Sequence, residues 1–257
     1  MKQSNLIITI MLAMFLTACG GSSTVKKDTK GTNYKEAAKI NVQLASGYIQ
    51  RGQLEIAKEK LDKAIEQDSG YVPAYTTMAL LMDILGEEDD AESYYLEALD
   101  IDPRNPALRN NYGTFLCKQN KVDEAVKQFE LAIKNQFYET PENAHANLGY
   151  CLMKAENPDY VTAEKHLRKA LKVRPNMSSA LLAMGELAIK TKRFLMARAY
   201  MQRYHSVASP SAESLWYQLQ AEKALDDQKN FLRLSRELLK KFPDSPQADM
   251  LMDMSSK

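Results

Sequence analysis

From Tyr34 to the C-terminus, large apolar residues return three and four positions apart, in runs broken by short polar stretches. One face of an α-helix recurs every 3.6 residues, so each run predicts an amphipathic helix, and nothing alternates with the two-residue period of a strand. The runs come in pairs, and the pairs repeat. Ala57, Ala91 and Ala125 stand 34 apart, Ala163 follows 38 further on, and Ala197 another 34. A parallel column reads Ala45, Ala79, Gly113, Gly149 and Gly185, and a third Ala64, Ala98, Ala132 and Ala170. Large apolar residues fill fixed offsets between them. Leu44, Met78, Tyr112, Leu148 and Met184 fall in one helix of the pair, and Leu61, Tyr95, Phe129, Leu167 and Met201 in the other. Gly52, Gly86 and Asn120 mark the turn between the two.

A 34-residue helix-turn-helix unit with small residues where its helices cross is the tetratricopeptide signature. Small side chains let the paired helices approach closely, and the large ones fill the grooves beside them. Pro103, Pro175 and Pro210 fall at repeat ends, where a fixed φ and a missing N–H suit the start of the next helix. Five repeats begin near residues 38, 72, 106, 142 and 178, and a degenerate sixth spans 212–245, where the small residues are lost and a terminal cap is expected. The extra residues between Ala125 and Ala163 divide between Glu139-Thr140 and the Asn157-Pro158 turn, leaving the helices intact. Adjacent repeats bury one continuous core, so the expected fold is all-α, a single right-handed superhelix over 36–257.

Ahead of the repeats the pattern changes. Lys2 precedes Leu6–Ala18, an uncharged run too short for the roughly 20 apolar residues that span a bilayer. A charged start, a short apolar core and small residues before a cut site make a secretory signal peptide, expected over 1–18. Leu16-Thr17-Ala18-Cys19 resembles the bacterial lipobox, in which the cysteine is lipidated and the chain is cut before it. Gly20, Gly21 and Ser22 follow, not the Asp that retains similar lipoproteins in the inner membrane. The expected location is therefore the outer membrane, facing the periplasm. Residues 19–35, rich in Gly, Ser, Thr and Lys, read as a flexible tether.

Charge and chemistry narrow the function. The chain carries 34 Lys and Arg against 33 Asp and Glu, and losing Lys2 leaves the two equal, so nothing attracts a nucleic acid. The three histidines, His145, His166 and His205, are far apart in sequence and none forms an i, i+4 pair with another, and no cysteine or carboxylate cluster has ligand spacing. Neither a metal nor any other cofactor is expected. Ser23 and Lys26 match S-x-x-K only within the tether, without partner motifs. Catalysis is not expected; binding is.

Superhelices of this kind bind along the concave face made by the first helix of each repeat. The inward columns read Val42, Thr76, Asn110, Ala146 and Leu182, then Ser46, Leu80, Thr114, Tyr150 and Glu186. These columns hold no basic clamp for a C-terminal carboxylate. With Ile49, Ile84 and Ile189 they make a groove that is apolar at its N-terminal end and suits an amphipathic helix or hydrophobic tail. The candidate contacts are Val42, Ser46, Ile49, Leu80 and Ile84; the alternative is that some of these are core.

The lipobox, the tether, six repeats and stretches such as YKEAAKINVQLASGYIQRGQLEIAKEKLDKAI, NNYGTFLC and NAHANLGYCLMKA together resemble the PilF/PilW family of type IV pilus biogenesis lipoproteins. The resemblance covers essentially the whole mature chain. It implies a pilotin, which escorts the secretin subunit to the outer membrane and promotes its multimer assembly, and a monomer is expected. A lipoprotein scaffold for β-barrel assembly or for cell-wall enzymes, and a scaffold tied to an unrecognised enzyme, stay open. Cys117 and Cys151, 34 apart on the first helices of adjacent repeats, sit at nearly the same height. A disulfide is expected in an oxidising periplasm, and the resemblance implies the same bond. Two buried free thiols are the alternative.

Overall fold

The computed structural model describes residues 29–255, with side-chain surroundings for 33–254. The signal segment, Cys19 and the first part of the tether lie outside the described residues. Thirteen helices follow one another, with no strand among the described residues: α1 (Thr29–Gln50), α2 (Leu54–Gln67), α3 (Val72–Leu85), α4 (Glu88–Ile101), α5 (Pro106–Lys118), α6 (Val122–Lys134), α7 (Pro141–Lys154), α8 (Tyr160–Val173), α9 (Ser178–Lys190), α10 (Phe194–Val207), α11 (Ala212–Ala224), α12 (Gln228–Lys241) and α13 (Pro246–Ser255). The first twelve form six antiparallel pairs, one per repeat. Helix α1 begins inside the stretch read as tether. Once Ala38, Val42 and Ala45 are docked in the core, a proline-free chain extends the helix backward at one hydrogen bond per residue.

The small-residue columns lie where paired helices cross. Ala57, Ala91, Ala125, Ala163 and Ala197 are wholly buried, as are Ala45, Ala79, Ala64, Ala98, Ala132 and Ala170. How tight the crossing is shows at Gly149. A Cβ there would stand 2.7 Å from Leu167 Cγ and 2.9 Å from the Ala163 carbonyl oxygen, so α7 and α8 can meet at this distance only over a glycine.

The large-residue columns are buried too, with one exception. Met78, Tyr112, Leu148 and Met184 pack in the core, but Leu44 is 45% exposed. This column faces the second helix of the preceding repeat, as the 5.4 Å approach of the Tyr112 ring to Tyr95 shows. Repeat one has no described predecessor, so Leu44 and its neighbour one turn earlier, Ile40, lie on an open end.

The backbones of first helices of successive repeats approach closely all along the chain, whereas those of second helices of successive repeats do not. The stack must therefore bend with first helices on the inside and second helices outside, which produces the concave face. Within repeats, the turn closes the same way each time. Gly52, Gly86, Asn120, Lys192 and Asp226, all in the same column, adopt positive φ, and the next residue donates its N–H five positions back (Gln53 to Tyr48, Glu87 to Met82, Lys121 to Leu116, Arg193 to Ala188, Asp227 to Glu222). Repeat four has two extra residues and no such conformation, yet Asp159 N–H still reaches the equivalent carbonyl, Leu152. The insertion bulges out without disturbing the pair. The other insertion lengthens the α6–α7 link to residues 135–140.

Two features depart from the sequence reading. Pro103, Pro175 and Pro210 lie in inter-repeat turns, while α5, α7 and α13 start on Pro106, Pro141 and Pro246. Helix α13 itself was not read from the sequence. The Ala248 N–H bonds to Ser245 Oγ at 3.2 Å at its start, and Ala248 and Leu251 are buried. Leu251 clusters with Leu215, Leu219, Leu234 and Leu238, closing the end of the core that repeat six leaves open.

Candidate functional site

A stripe of every fourth residue on the first helices faces into the curve, and its character changes along the superhelix. At the N-terminal end Leu80 and Ile84 on α3 are 46% and 47% exposed, with Ile49 half-buried on α1. Of the other two candidates there, Val42 is closed off and Ser46 is half-buried. Val42 is 8% exposed and belongs to the core, because α2 and α3 both lie against α1 and close over it. Ser46 Oγ donates to the Val42 carbonyl of its own helix at 2.9 Å.

In the middle the face turns polar. Asn147 Nδ2 donates to Asn110 Oδ1 at 3.1 Å and to Thr114 Oγ1 at 3.2 Å, linking α7 to α5. Two lysines that the sequence reading passed over lie one turn beyond the columns it followed. Lys118 is paired with Asp83 at 2.7 Å and Lys154 with Glu186 at 2.6 Å. Continuing the same stripe by four residues from Thr114 and Tyr150 finds both lysines; their acid partners on neighbouring repeats come only with the fold. Lys154 also lies 5.1 Å from the Tyr150 ring centre. Burial opposes its charge, but Glu186 outweighs burial and holds its ammonium above the usual lysine range. Cys117 and Cys151 are joined by a disulfide across this region, with their Cα atoms 5.7 Å apart.

Towards the C-terminal end the inner face carries buried charge. Glu186, read as a groove residue, is 4% exposed and held by Lys154, so it is structural. Tyr217 donates to Glu213 at 2.8 Å, and burial followed by the charge of Glu186 raises its phenol well above the ordinary range. Arg198 bridges Glu222, which is almost fully buried, and Asp227. The sequence separated the histidines, but folding brings two together: His145 Nδ1 and His166 Nδ1, on α7 and α8, are 2.9 Å apart. Burial and then the nearby charge of His166 lower the His145 pKa to about 4. Among the described residues no group of three or more His, Cys, Asp or Glu is placed to hold a metal, and no helix is long and apolar enough to cross a membrane.

A curved stack of helix pairs whose inner face passes from apolar to amide-lined to ion-paired defines a tetratricopeptide-repeat protein, an adaptor that grips other proteins and not an enzyme. Residues 72–105 and 94–127 match models of the tetratricopeptide repeat. Over 240 residues the chain is 30% identical to the type IV pilus assembly protein PilF of Pseudomonas aeruginosa, covering 93% of this chain and 94% of that one. A solved structure from the functional characterization of P. aeruginosa PilF superposes with a TM-score of 0.75 at 27% identity, over 86% of this chain and 99% of that one. The crystal structure of PilW, a widely conserved type IV pilus biogenesis factor, gives 0.76 at 26% identity, over 84% and 98%. The chain belongs to this family of PilF/PilW-type tetratricopeptide proteins of type IV pilus biogenesis.

Proposed function

We propose that the protein is a pilotin: a lipoprotein, anchored in the outer membrane through Cys19 and facing the periplasm, that binds the type IV pilus secretin subunit and promotes its assembly into multimers. The observation that carries the reading is the exposure of two large apolar side chains, Leu80 and Ile84, on α3, a first helix. Large apolar side chains left open on a curved inner surface mark a place for an apolar partner segment, and an amphipathic helix would bury them. The Leu16–Cys19 motif supplies the address, because lipid chains give stable anchoring without a spanning helix.

Two substitutions separate the parts of the proposal. Cys19→Ser leaves a folded periplasmic protein that still binds the secretin but no longer sediments with membranes. Leu80→Asp places an unpaired charge under the bound partner, which costs several kcal/mol, while the exposed site tolerates it in the free protein. Secretin multimers, followed on mildly denaturing gels of outer membranes, disappear in a deletion strain and are not restored by Leu80→Asp. Multimers that persist in the outer membrane without this protein refute the pilotin reading.

A further inference from the structure

We propose that the outer, convex face of repeats four to six rests on the anionic phospholipid of the bilayer and so holds the concave face open to the periplasm. The choice of a lipid surface rests on the membrane anchor of the pilotin reading; the charge pattern behind it does not. Over the whole chain the charges balance, but along the convex face they are sorted by sign. The second helices form this face, and one exposed stripe, spaced i, i+4, i+7 and i+11, can be followed from repeat to repeat. In repeat one it reads Glu55, Glu59, Asp62 and Glu66. In repeat six the same four positions are Lys229, Arg233, Arg236 and Lys240. Repeat four already has the later character, with Val161, Lys165, Arg168 and Lys172. The helices as wholes follow the trend: α4 carries six acidic residues and no basic one, α12 five basic and one acidic, and α10 no acid at all.

Most of this positive charge is uncommitted. Arg168 and Arg233 pair with acids of their own helices, Glu164 and Glu237. Lys165, Lys172, Lys229, Arg236 and Lys240, with Lys169 beside the stripe, have no carboxylate within ion-pairing distance among the described residues. Such a one-sided arrangement in a neutral chain produces a field that attracts a polyanion at one end and repels it at the other. Apolar side chains stand among the cations. Val161 and Leu195, in one column at the starts of α8 and α10, are 83% and 68% exposed. Exposed apolar residues beside unpaired Lys and Arg are what helices lying on a membrane surface use, the cations meeting headgroup phosphates and the apolar groups entering beneath them.

The geometry allows the contact. A convex face can touch a flat bilayer over only part of its length, and the sign of the stripe decides which part. The nine residues between Cys19 and Thr29 reach at most about 30 Å. Screening confines the interaction to about 10 Å at ~0.1 M salt. The acidic repeats one and two can therefore stand off the surface within reach of the anchor while repeats four to six lie against it.

The test uses the Cys19→Ser protein, so that no lipid chain contributes, and vesicles of phosphatidylcholine alone or with about one-third phosphatidylglycerol. Cosedimentation is compared for this protein and three triple variants, each also checked by circular dichroism. One carries Lys165→Glu, Lys169→Glu and Lys172→Glu on α8; the second carries Lys229→Glu, Arg236→Glu and Lys240→Glu on α12. The third, Lys63→Glu, Lys127→Glu and Lys134→Glu, makes the same change of charge in repeats one and three. Anionic vesicles are expected to bind at least about tenfold more tightly than neutral ones, and each of the first two variants to lose at least about tenfold, more than the third loses. Salt at ~0.5 M should abolish the binding. The proposal is overturned if the protein does not bind anionic vesicles, if neutral vesicles bind as well, or if the third variant weakens binding as much as the other two. It is also overturned if the protein without vesicles sediments as a dimer that the first two variants dissolve, which would give the face to a second copy. Vesicle binding needs no secretin, so its failure leaves the result of the multimer experiment, and with it the pilotin reading, untouched.

Discussion

Replacing Gly149 with alanine probes what holds each helix pair at its spacing. The new Cβ would lie 2.9 Å from the Ala163 carbonyl oxygen and 2.7 Å from Leu167 Cγ. The leucine can rotate, but the carbonyl belongs to the backbone ladder of α8, so the helices must part. Overpacking of this kind costs about 1–3 kcal/mol. Alanine regains about 1 kcal/mol of helix propensity, leaving a net loss of about 1 kcal/mol. Gly47→Ala is the control. It makes the same exchange inside α1, where a Cβ meets nothing within 4 Å, so only the propensity gain of about 0.5–1 kcal/mol remains. The two variants should move stability in opposite directions, about 2 kcal/mol apart, or roughly 4–8 °C in midpoint for a chain of this size. Because a repeat array need not unfold as one unit, thermal melts are paired with hydrogen exchange, which should show lost protection in α7 and α8 only for Gly149→Ala. A melt in which Gly149→Ala equals or exceeds Gly47→Ala would refute close approach as the reason for the small-residue column.

Three further expectations follow from other parts of the molecule. Replacing Cys117 and Cys151 together by serine should cost about 3–4 kcal/mol, since the bond closes a loop across 34 residues; denaturant curves of that variant and of reduced wild type should coincide, and a mutant as stable as the oxidised protein contradicts this. Lys192→Gly should raise stability by about 1 kcal/mol by relieving the positive φ of 57°, and a lower midpoint would mean that the lysine side chain contributes more than the strain removes. His145 binds its proton at about 4 when folded against an ordinary value near 6.5, so the unfolded chain holds more protons between these limits. Its contribution is complete above pH 6.5 and is lost as pH falls toward 4, with His166 and Lys169 adding to burial; the slope of midpoint against pH in that window should flatten in His145→Gln.

The alanine and glycine columns, the large-residue offsets and the turn glycines are local facts, each set by a helical period within one pair. They were enough to read the six repeats, to find both insertions and to place Cys117 beside Cys151 in height. What the sequence could not supply is the rotation of one repeat against the next, because curvature comes from all the inter-repeat contacts together. That rotation decides that Val42 closes into the core while Leu80, in the next inward column on α3, stays open, although both lie on first helices and look alike as apolar residues. It also decides that Leu44 is left bare, since its column packs on a preceding repeat and repeat one has no described predecessor. The same holds for pairs far apart in the chain. Lys118 with Asp83, Lys154 with Glu186 and His145 with His166 meet only after the superhelix has formed, and their charge and burial are properties of that arrangement. Helix α13 stands between the two cases: Ser245, Pro246, Ala248 and Leu251 carry a legible start signal and apolar spacing, but only the open end of repeat six gives that face something to cover.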